Sequence, residues 1–569
     1  MYENTDRSQL VPPHNGSNVL PNSPFFGKLV RHARRERVAL RDLSLNIEKT
    51  YGDLLDAVLS YRDVVKAALS DTARKSLERG EEVYIGVLAA GGWEFTVATL
   101  AVMALGAAVV PMFPSAPVDE VVYFVLKSQQ VAILTSVSTA ALAQDIVTQV
   151  STSGHQLAMV PILANLPELP SRSPLDICMS SDPPLDDRAP GLVIFTSGTT
   201  GRPKGVVHRR SYAHETALAI GEGYDIDDKD VLLHLLPVHH TTGLGTSFFP
   251  FLCAGACIEF RGAGSFDAAW VWERWLEGGL TVLSAVPTIF MRLKWHFERV
   301  IAQLPAEQQS PYVAAAQQFR AFMCGSSALQ DNVQDFWTHL RQGIPILTRY
   351  GATEFPGCLK VPANMDHKLL PRGCVGMPVP GVSIKLSEGD EGELLVKSPY
   401  MFSKYLHDRE ATLAAHDSEG WFKTGDIARC DSGFYTIIGR ASVDIIKSGG
   451  YKISALDIER ECLTLSYVAE AMVVGVEDEE FGQLVGALVA VKGISSLSLS
   501  QLRSDLRAKL AGYKLPTVLR VIEGELPKGG TGKVQKKVLG PKFFPFGYEA
   551  IPEVQTWRYR RNRQNQARL

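Results

Sequence analysis

The sequence has no C-x-x-C pair. Its eight cysteines are scattered, and the nearest two, Cys253 and Cys257, stand one residue too far apart. This argues against a structural zinc site or a disulfide framework and fits a reducing compartment. An excess of one charge is also missing: a formal net charge of −3 gives no global field for nucleic acid or an anionic membrane. Long apolar runs are nearly absent. Phe95–Phe113 is nineteen residues without a charge, close to a spanning length, but Gly106 and Pro111 interrupt it. That run predicts a buried helix ending near Gly106, then a short strand through Val109 and Val110. The opening MYENTDRSQL is polar with two acids, unlike a secretory signal or a mitochondrial transit peptide.

Familiar nucleotide fingerprints are missing as well. A P-loop needs G-x-x-x-x-G-K-[ST], and five residues after Gly198 stands Pro203; in GEGYDI, Ile226 occupies the third glycine position of a dinucleotide-binding turn. What the chain does have is FTSGTTGRPKGVV, Phe195–Val207: three threonines, one serine, three glycines and a lysine in thirteen positions. Gly198, Gly201 and Gly205 free backbone N–H groups to turn toward a ligand. Thr196, Ser197, Thr199 and Thr200 add hydroxyls, and Lys204 adds a cation. That inventory suits phosphate oxygens.

A length of 569 residues suggests about three to four domain-sized units. Short Val/Ile/Leu strands (VAILTS, LVIFTS, TVLSAV, IPILTRY) alternate with helix-like runs, which predicts an α/β fold of parallel-rich sheets covered by helices. From EGELLVKSP onward the strands alternate polar and apolar residues, an antiparallel pattern. After Gly439 a smaller α+β unit is expected, with strands AEAMVVGV and VGALVAVK and a helix over SLSQLRSDLRAKLAGY. The boundaries read as a polar extension (1–24), a large unit (25–439), a small mobile unit (440–545) and a basic tail (546–569).

Further polar, glycine-rich stretches follow apolar strands, where open α/β sheets bind ligands. They are CGSSAL (Cys324–Leu329), RYGATE (Arg349–Glu354), WFKTGD (Trp421–Asp426), GRASVDIIKSGGYKIS (Gly439–Ser454) and LPKGGTGKVQKK (Leu526–Lys537). In this order, over about residues 25–545, the set resembles the adenylate-forming superfamily of acyl-CoA synthetases, luciferases and adenylation domains. With LPVHHTTGL it is most similar to the malonyl-CoA synthetase branch.

The resemblance implies an acid–CoA ligase using ATP, Mg²⁺ and coenzyme A. The Thr196–Lys204 loop would hold the β- and γ-phosphates, Glu354 would ligate Mg²⁺, and Thr353 would contact the α-phosphate. Gly325, Ser326, Tyr350 and Gly351 would form the adenine slot. Asp426 would take the ribose hydroxyls, with Arg440 nearby, and Lys533 would neutralise the transferring phosphorus. Gly449 and Gly450 would let pantetheine approach after the small unit turns about a hinge within Ala441–Asp444. His239, His240, Thr241, Thr242, Ser327 and Arg349 would line the acyl pocket, the two histidines as wall and gate. A guanidinium there would pair with a second carboxylate, as in malonate or methylmalonate. Thr242, Cys324 and Ser327 depart from the malonyl pattern, so another short polar or dicarboxylic acid stays open, as does loading of a carrier protein in place of CoA. The final Ala567-Arg568-Leu569 fits a tripeptide read by a peroxisomal import receptor, which leaves peroxisome or cytoplasm as the address.

Overall fold

Continuous apolar runs become strands buried on both faces, and these build two large sheets. The computed structural model describes residues 16–162, 172–196, 203–262, 264, 266–365, 370–441, 443–448, 451–478, 481–529 and 533–557. In the seven-stranded sheet, Tyr84–Leu88 lies between Ala108–Pro111 and Ala132–Thr135, parallel to both. In the nine-stranded sheet, Val231–His234, Val282–Ala285, Ala321–Cys324 and Ile346–Tyr350 run parallel and adjacent. The expected strands at VAILTS, TVLSAV and IPILTRY are all present. The uncharged Phe95–Phe113 run divides as its glycine predicts: the helix Trp93–Ala104 ends before Gly106, and Ala108–Pro111 is a strand. Among the described residues no helix is long and apolar enough to cross a membrane.

LVIFTS differs in one respect. Pro190–Thr196 runs parallel to Ala108–Pro111 on one edge but antiparallel to Lys204–Arg209 on the other. The segment between Thr196 and Lys204 therefore joins two antiparallel strands, with those two residues registered opposite each other.

Past Glu391 the sheet is antiparallel throughout, in the order Ser383–Leu386, Glu391–Lys397, Phe422–Asp431, Phe434–Arg440. A separate six-stranded sheet begins at Ile445–Ser448 and is covered by helices such as Ala455–Leu463. Here SLSQLRSDLRAKLAGY yields a shorter helix than its composition suggests. Ser498 caps it by accepting from the Gln501 amide, and it stops at Leu506. Leu510 and Leu515 beyond it are buried in the same core as Leu502 and Leu506, which draws the chain down into a turn.

Candidate active site

The site is built from a hairpin upward. Ser432 and Gly433, at φ of 51° and 85°, form a two-residue connection with both dihedrals positive, which matches the twist of the flanking strands. It pairs Asp431 with Phe434, and one bulge further on it registers Asp426 opposite Arg440. Arg440 Nε donates to Asp426 Oδ1 at 2.7 Å and Nη2 to Oδ2 at 3.2 Å. The Tyr350 hydroxyl donates to Oδ2 at 2.5 Å. Asp426 is only 7% exposed, and its bond to Arg440 raises that guanidinium's already high pKa. Three motifs distant in sequence thus meet on one carboxylate.

Around Tyr350 the chain turns tightly. A Cβ on Gly351 would lie 2.4 Å from the Gly357 amide nitrogen, so only glycine fits. Ser326 is held at φ +77°, a left-handed conformation uncommon outside glycine and concentrated at functional sites. Gly325 sits against the Arg349 stem, its absent Cβ 3.0 Å from Cγ. Ser327 is exposed, while Thr353 and Glu354 are half-buried. Glu354 Oε1 accepts from the Tyr405 hydroxyl at 2.7 Å, and the Lys204 ammonium lies 4.9 Å from the centre of the Tyr405 ring. Nothing in the local sequence marks Tyr405. It arrives because Lys404–Tyr405 pairs antiparallel with Val206–Val207.

Lys533 reaches this cluster from the far end of the chain. It keeps solvent access, yet enough protein surrounds it that desolvation lowers its ammonium pKa; Arg440 acts in the same direction and Asp426 opposes it. His240 feels the same lysine. Burial first, then Lys533, pushes its imidazole down to about 4. His239 is pushed down to about 3 and lies tilted against Phe113, 4.8 Å between ring centroids. Both are neutral near pH 7. Among the described residues no group of three or more His, Cys, Asp and Glu is placed to hold a metal ion.

Arg349 is the least expected feature. It is 6% exposed, on the strand Ile346–Tyr350, with Nη2 donating to Thr246 Oγ1 and Ser284 Oγ, both at 2.9 Å. Nη1 makes no further hydrogen bond of good geometry, and the buried Tyr224 hydroxyl interacts with the guanidinium and favours its charge. Burial works against the guanidinium's charge, and among the described residues no carboxylate offsets it. Lys360, registered opposite on the next strand, is buried too. Burial pulls its ammonium down to about 8, and Nζ donates to the Ala219 carbonyl at 2.6 Å. The Thr241–Gly243 turn begins the helical run that supplies Thr246, whose hydroxyl donates to the Thr242 carbonyl at 2.7 Å.

The structure brings together Lys204, Glu354, Tyr350, Asp426, Arg440, Lys533 and His240. It adds Tyr405, Tyr224, Thr246, Ser284 and Lys360, which carry no motif of their own. Ser197, Gly198, Thr199, Thr200 and Gly201, the pair Gly449 and Gly450, and the Ala567-Arg568-Leu569 tail lie outside the described residues.

A family model described as AMP-binding enzyme matches residues 30–406, and one described as AMP-binding enzyme C-terminal domain matches residues 457–533. The chain is 34% identical over 489 residues to a malonate–CoA ligase of Arabidopsis thaliana, covering 80% of this chain and 77% of that one. It is 31% identical over 543 residues to an acyl-CoA ligase of Aspergillus oryzae, covering 93% of each. The fold is similar to that of ATP-bound MatB from Rhodopseudomonas palustris, with a TM-score of 0.75 at 24% identity over 92% of this chain and 99% of that one. The chain belongs to the AMP-binding enzyme family.

Proposed function

We propose that the protein is an acid–CoA ligase for a short dicarboxylic acid of the malonate type. It would join the acid to AMP with release of pyrophosphate, then pass the acyl group to the thiol of CoA with release of AMP. The observation that carries the substrate class is Arg349, a buried cation without a carboxylate partner. An unpaired buried charge is costly; a second carboxylate on the substrate would pair with it and keep both in register.

The chemistry brings a carboxylate to the α-phosphate, so the site must hold positive charge where negative charge gathers. Lys204 and the Thr196–Lys204 loop would bind the β- and γ-phosphates, and Thr353 and Lys533 would face the α-phosphate. The lowered ammonium of Lys533 reflects desolvation first and the neighbouring Arg440 second, and an incoming phosphate would offset both. The carboxylate of Asp426, held by Arg440 and Tyr350, would accept the ribose hydroxyls, with Tyr350, Gly351, Gly325 and Ser326 flanking adenine. Glu354 fits Mg²⁺ as a single hard oxygen ligand that shares the ion with nucleotide phosphates. When bound, that ion screens the charge the acid must approach. Neutral His239 and His240 would wall the acyl group without competing for protons.

Thioester formation would follow a turn of the small unit, residues 440–545, on the large one, residues 25–439. Asp444 supports a pivot at Ala441–Asp444: its amide donates to the Arg440 carbonyl at 2.7 Å, and its Oδ2 accepts from the Arg440 amide at 3.0 Å. Gly449 and Gly450 would then line the thiol path. Pyrophosphate exchange over a panel of acids, with and without CoA, tests the reading. Exchange with malonate and thioester formation with free CoA support it. Exchange confined to amino acids, or acyl transfer only to a carrier protein, overturns it.

A further inference from the structure

We propose that Tyr212 sets the length of the acid this enzyme accepts, by plugging a mostly apolar recess beside the acyl segment; the inference rests on the ligase reading above. Tyr212 begins the helix Tyr212–Thr216 and is 2% exposed. Its hydroxyl is 2.8 Å from Thr241 Oγ1, the residue next to His240 and so next to the Lys533 cluster. The phenol reaches this position because residue 245 is glycine: a Cβ there would stand 2.0 Å from the Tyr212 oxygen.

Tyr212 also lines a cavity of about 60 Å³ whose wall is mostly apolar, with Phe25, Met103, Val109, Leu192 and Phe249, and carries Asp187, Arg209 and Arg210 at its polar part. The ring is held edge-on by Phe249 and lies against His208, 4.1 Å between centroids. Tyr212 therefore touches both the acyl segment and this mostly apolar cavity.

The helical run starting at Thr241 divides two recesses. Residues about one turn apart share a helix face. Thr241, Gly245 and Phe249 meet Tyr212, whereas Thr242 and Thr246 lie on the side of Arg349. One recess offers the Arg349 cation; the other has a mostly apolar wall with Tyr212 in it. A short acid with a charged far end suits the first, while a longer aliphatic acid needs the second and meets Tyr212. Opening the plug would expose apolar space, where each methylene buried changes kcat/KM by roughly 10- to 200-fold.

The test uses the full-length protein and three variants, Tyr212→Ala, Tyr212→Leu and Tyr212→Phe, with malonate, butyrate, hexanoate and octanoate as acids. Pyrophosphate exchange and CoA thioester formation are read as kcat/KM. The hexanoate-to-malonate ratio should rise at least about tenfold in Tyr212→Ala. It should rise in the same direction in Tyr212→Leu, which keeps more of the buried contact and guards against misfolding of the alanine variant. Tyr212→Phe, which loses only the Thr241 bond, should keep the parent's ratio. A folded alanine or leucine variant with the parent's ratios overturns the role of Tyr212. A parent that forms no adenylate from any carboxylic acid overturns the ligase reading instead, so the two failures are distinguishable.

Discussion

The hydroxyl of Tyr405 donates to Glu354 Oε1 at 2.7 Å while its ring lies 4.9 Å from the Lys204 ammonium. One side chain thereby ties the lysine of the glycine-rich loop to the acid assigned to the metal. Hydrogen bonds to a charged group are worth about 1.5–3 kcal/mol. Tyr405→Phe keeps the ring beneath Lys204 and removes only the bond, so adenylate formation should fall about tenfold with a higher Mg²⁺ requirement. Pyrophosphate exchange titrated with Mg²⁺ checks this, and an unchanged Mg²⁺ profile would detach Tyr405 from the metal acid.

Lys533→Ala should separate the two half-reactions. Removing a group that stabilises charge developing in the transition state costs about two to three orders of magnitude. Adenylate formation should fall by that much, while thiolysis of a supplied acyl adenylate by CoA should stay close to the parent rate. Equal loss in both steps would remove Lys533 from the phosphoryl centre.

Three residues beyond Lys533, the Lys536 ammonium bridges Asp444 Oδ1 at 2.6 Å and Glu459 Oε1 at 2.7 Å. Burial raises the Glu459 carboxyl pKa, and Lys536 opposes that rise. Lys536→Met would leave two half-buried carboxylates facing each other, and breaking one side of a buried ion pair costs up to roughly 3–5 kcal/mol. The loss in denaturant stability should be larger at pH 8 than at pH 5, because protonation of Glu459, already raised by burial, relieves the repulsion at low pH. A loss that does not vary with pH would contradict the ion-pair account.

Much of the scaffold was legible because parallel strands buried on both faces must be continuously apolar, as at Ala132–Thr135 and Val282–Ala285. The helix-to-strand break at Gly106 was legible because glycine takes the positive φ, here 78°, that the turn needs. Asp426 and Arg440 could be named from their motifs, but their mutual bond depends on a bulge between Ile427 and Ala428 that no periodicity announces. Tyr405, Tyr224, Thr246 and Ser284 were invisible because they act through tertiary contacts with Glu354 and Arg349, not through local spacing. The helix over SLSQLRSDLRAKLAGY was overextended because its capped start was plain, whereas its end is set by burial of Leu510 and Leu515.

Acid should weaken the fold through buried histidines. His208 is 1% exposed, and burial pushes its pKa from 6.5 down to about 3 against an opposing interaction with the Thr353 backbone. A base lowered in this way binds fewer protons folded than unfolded, so its contribution is lost as pH falls from about 6.5 toward 3. Between pH 7 and pH 5.5 one such group removes about 1 kcal/mol, or roughly 1 °C in Tm for a unit of this size. His208→Phe should shrink the Tm difference between those two pH values by about that amount. An unchanged difference would show that His208 is already charged in the folded protein.

The central claim is that Arg349 recognises the second carboxylate of a short diacid, and comparing malonate with butyrate on the parent and on Arg349→Ala tests it most directly. A charge-assisted guanidinium–carboxylate contact is worth about 1.5–3 kcal/mol, and 1.4 kcal/mol is about a factor of ten in rate. The account predicts that the parent prefers malonate. It also predicts that Arg349→Ala loses about ten- to a hundredfold in kcat/KM for malonate and little or nothing for butyrate. A parent indifferent to malonate, or a variant that loses both acids equally, would contradict it.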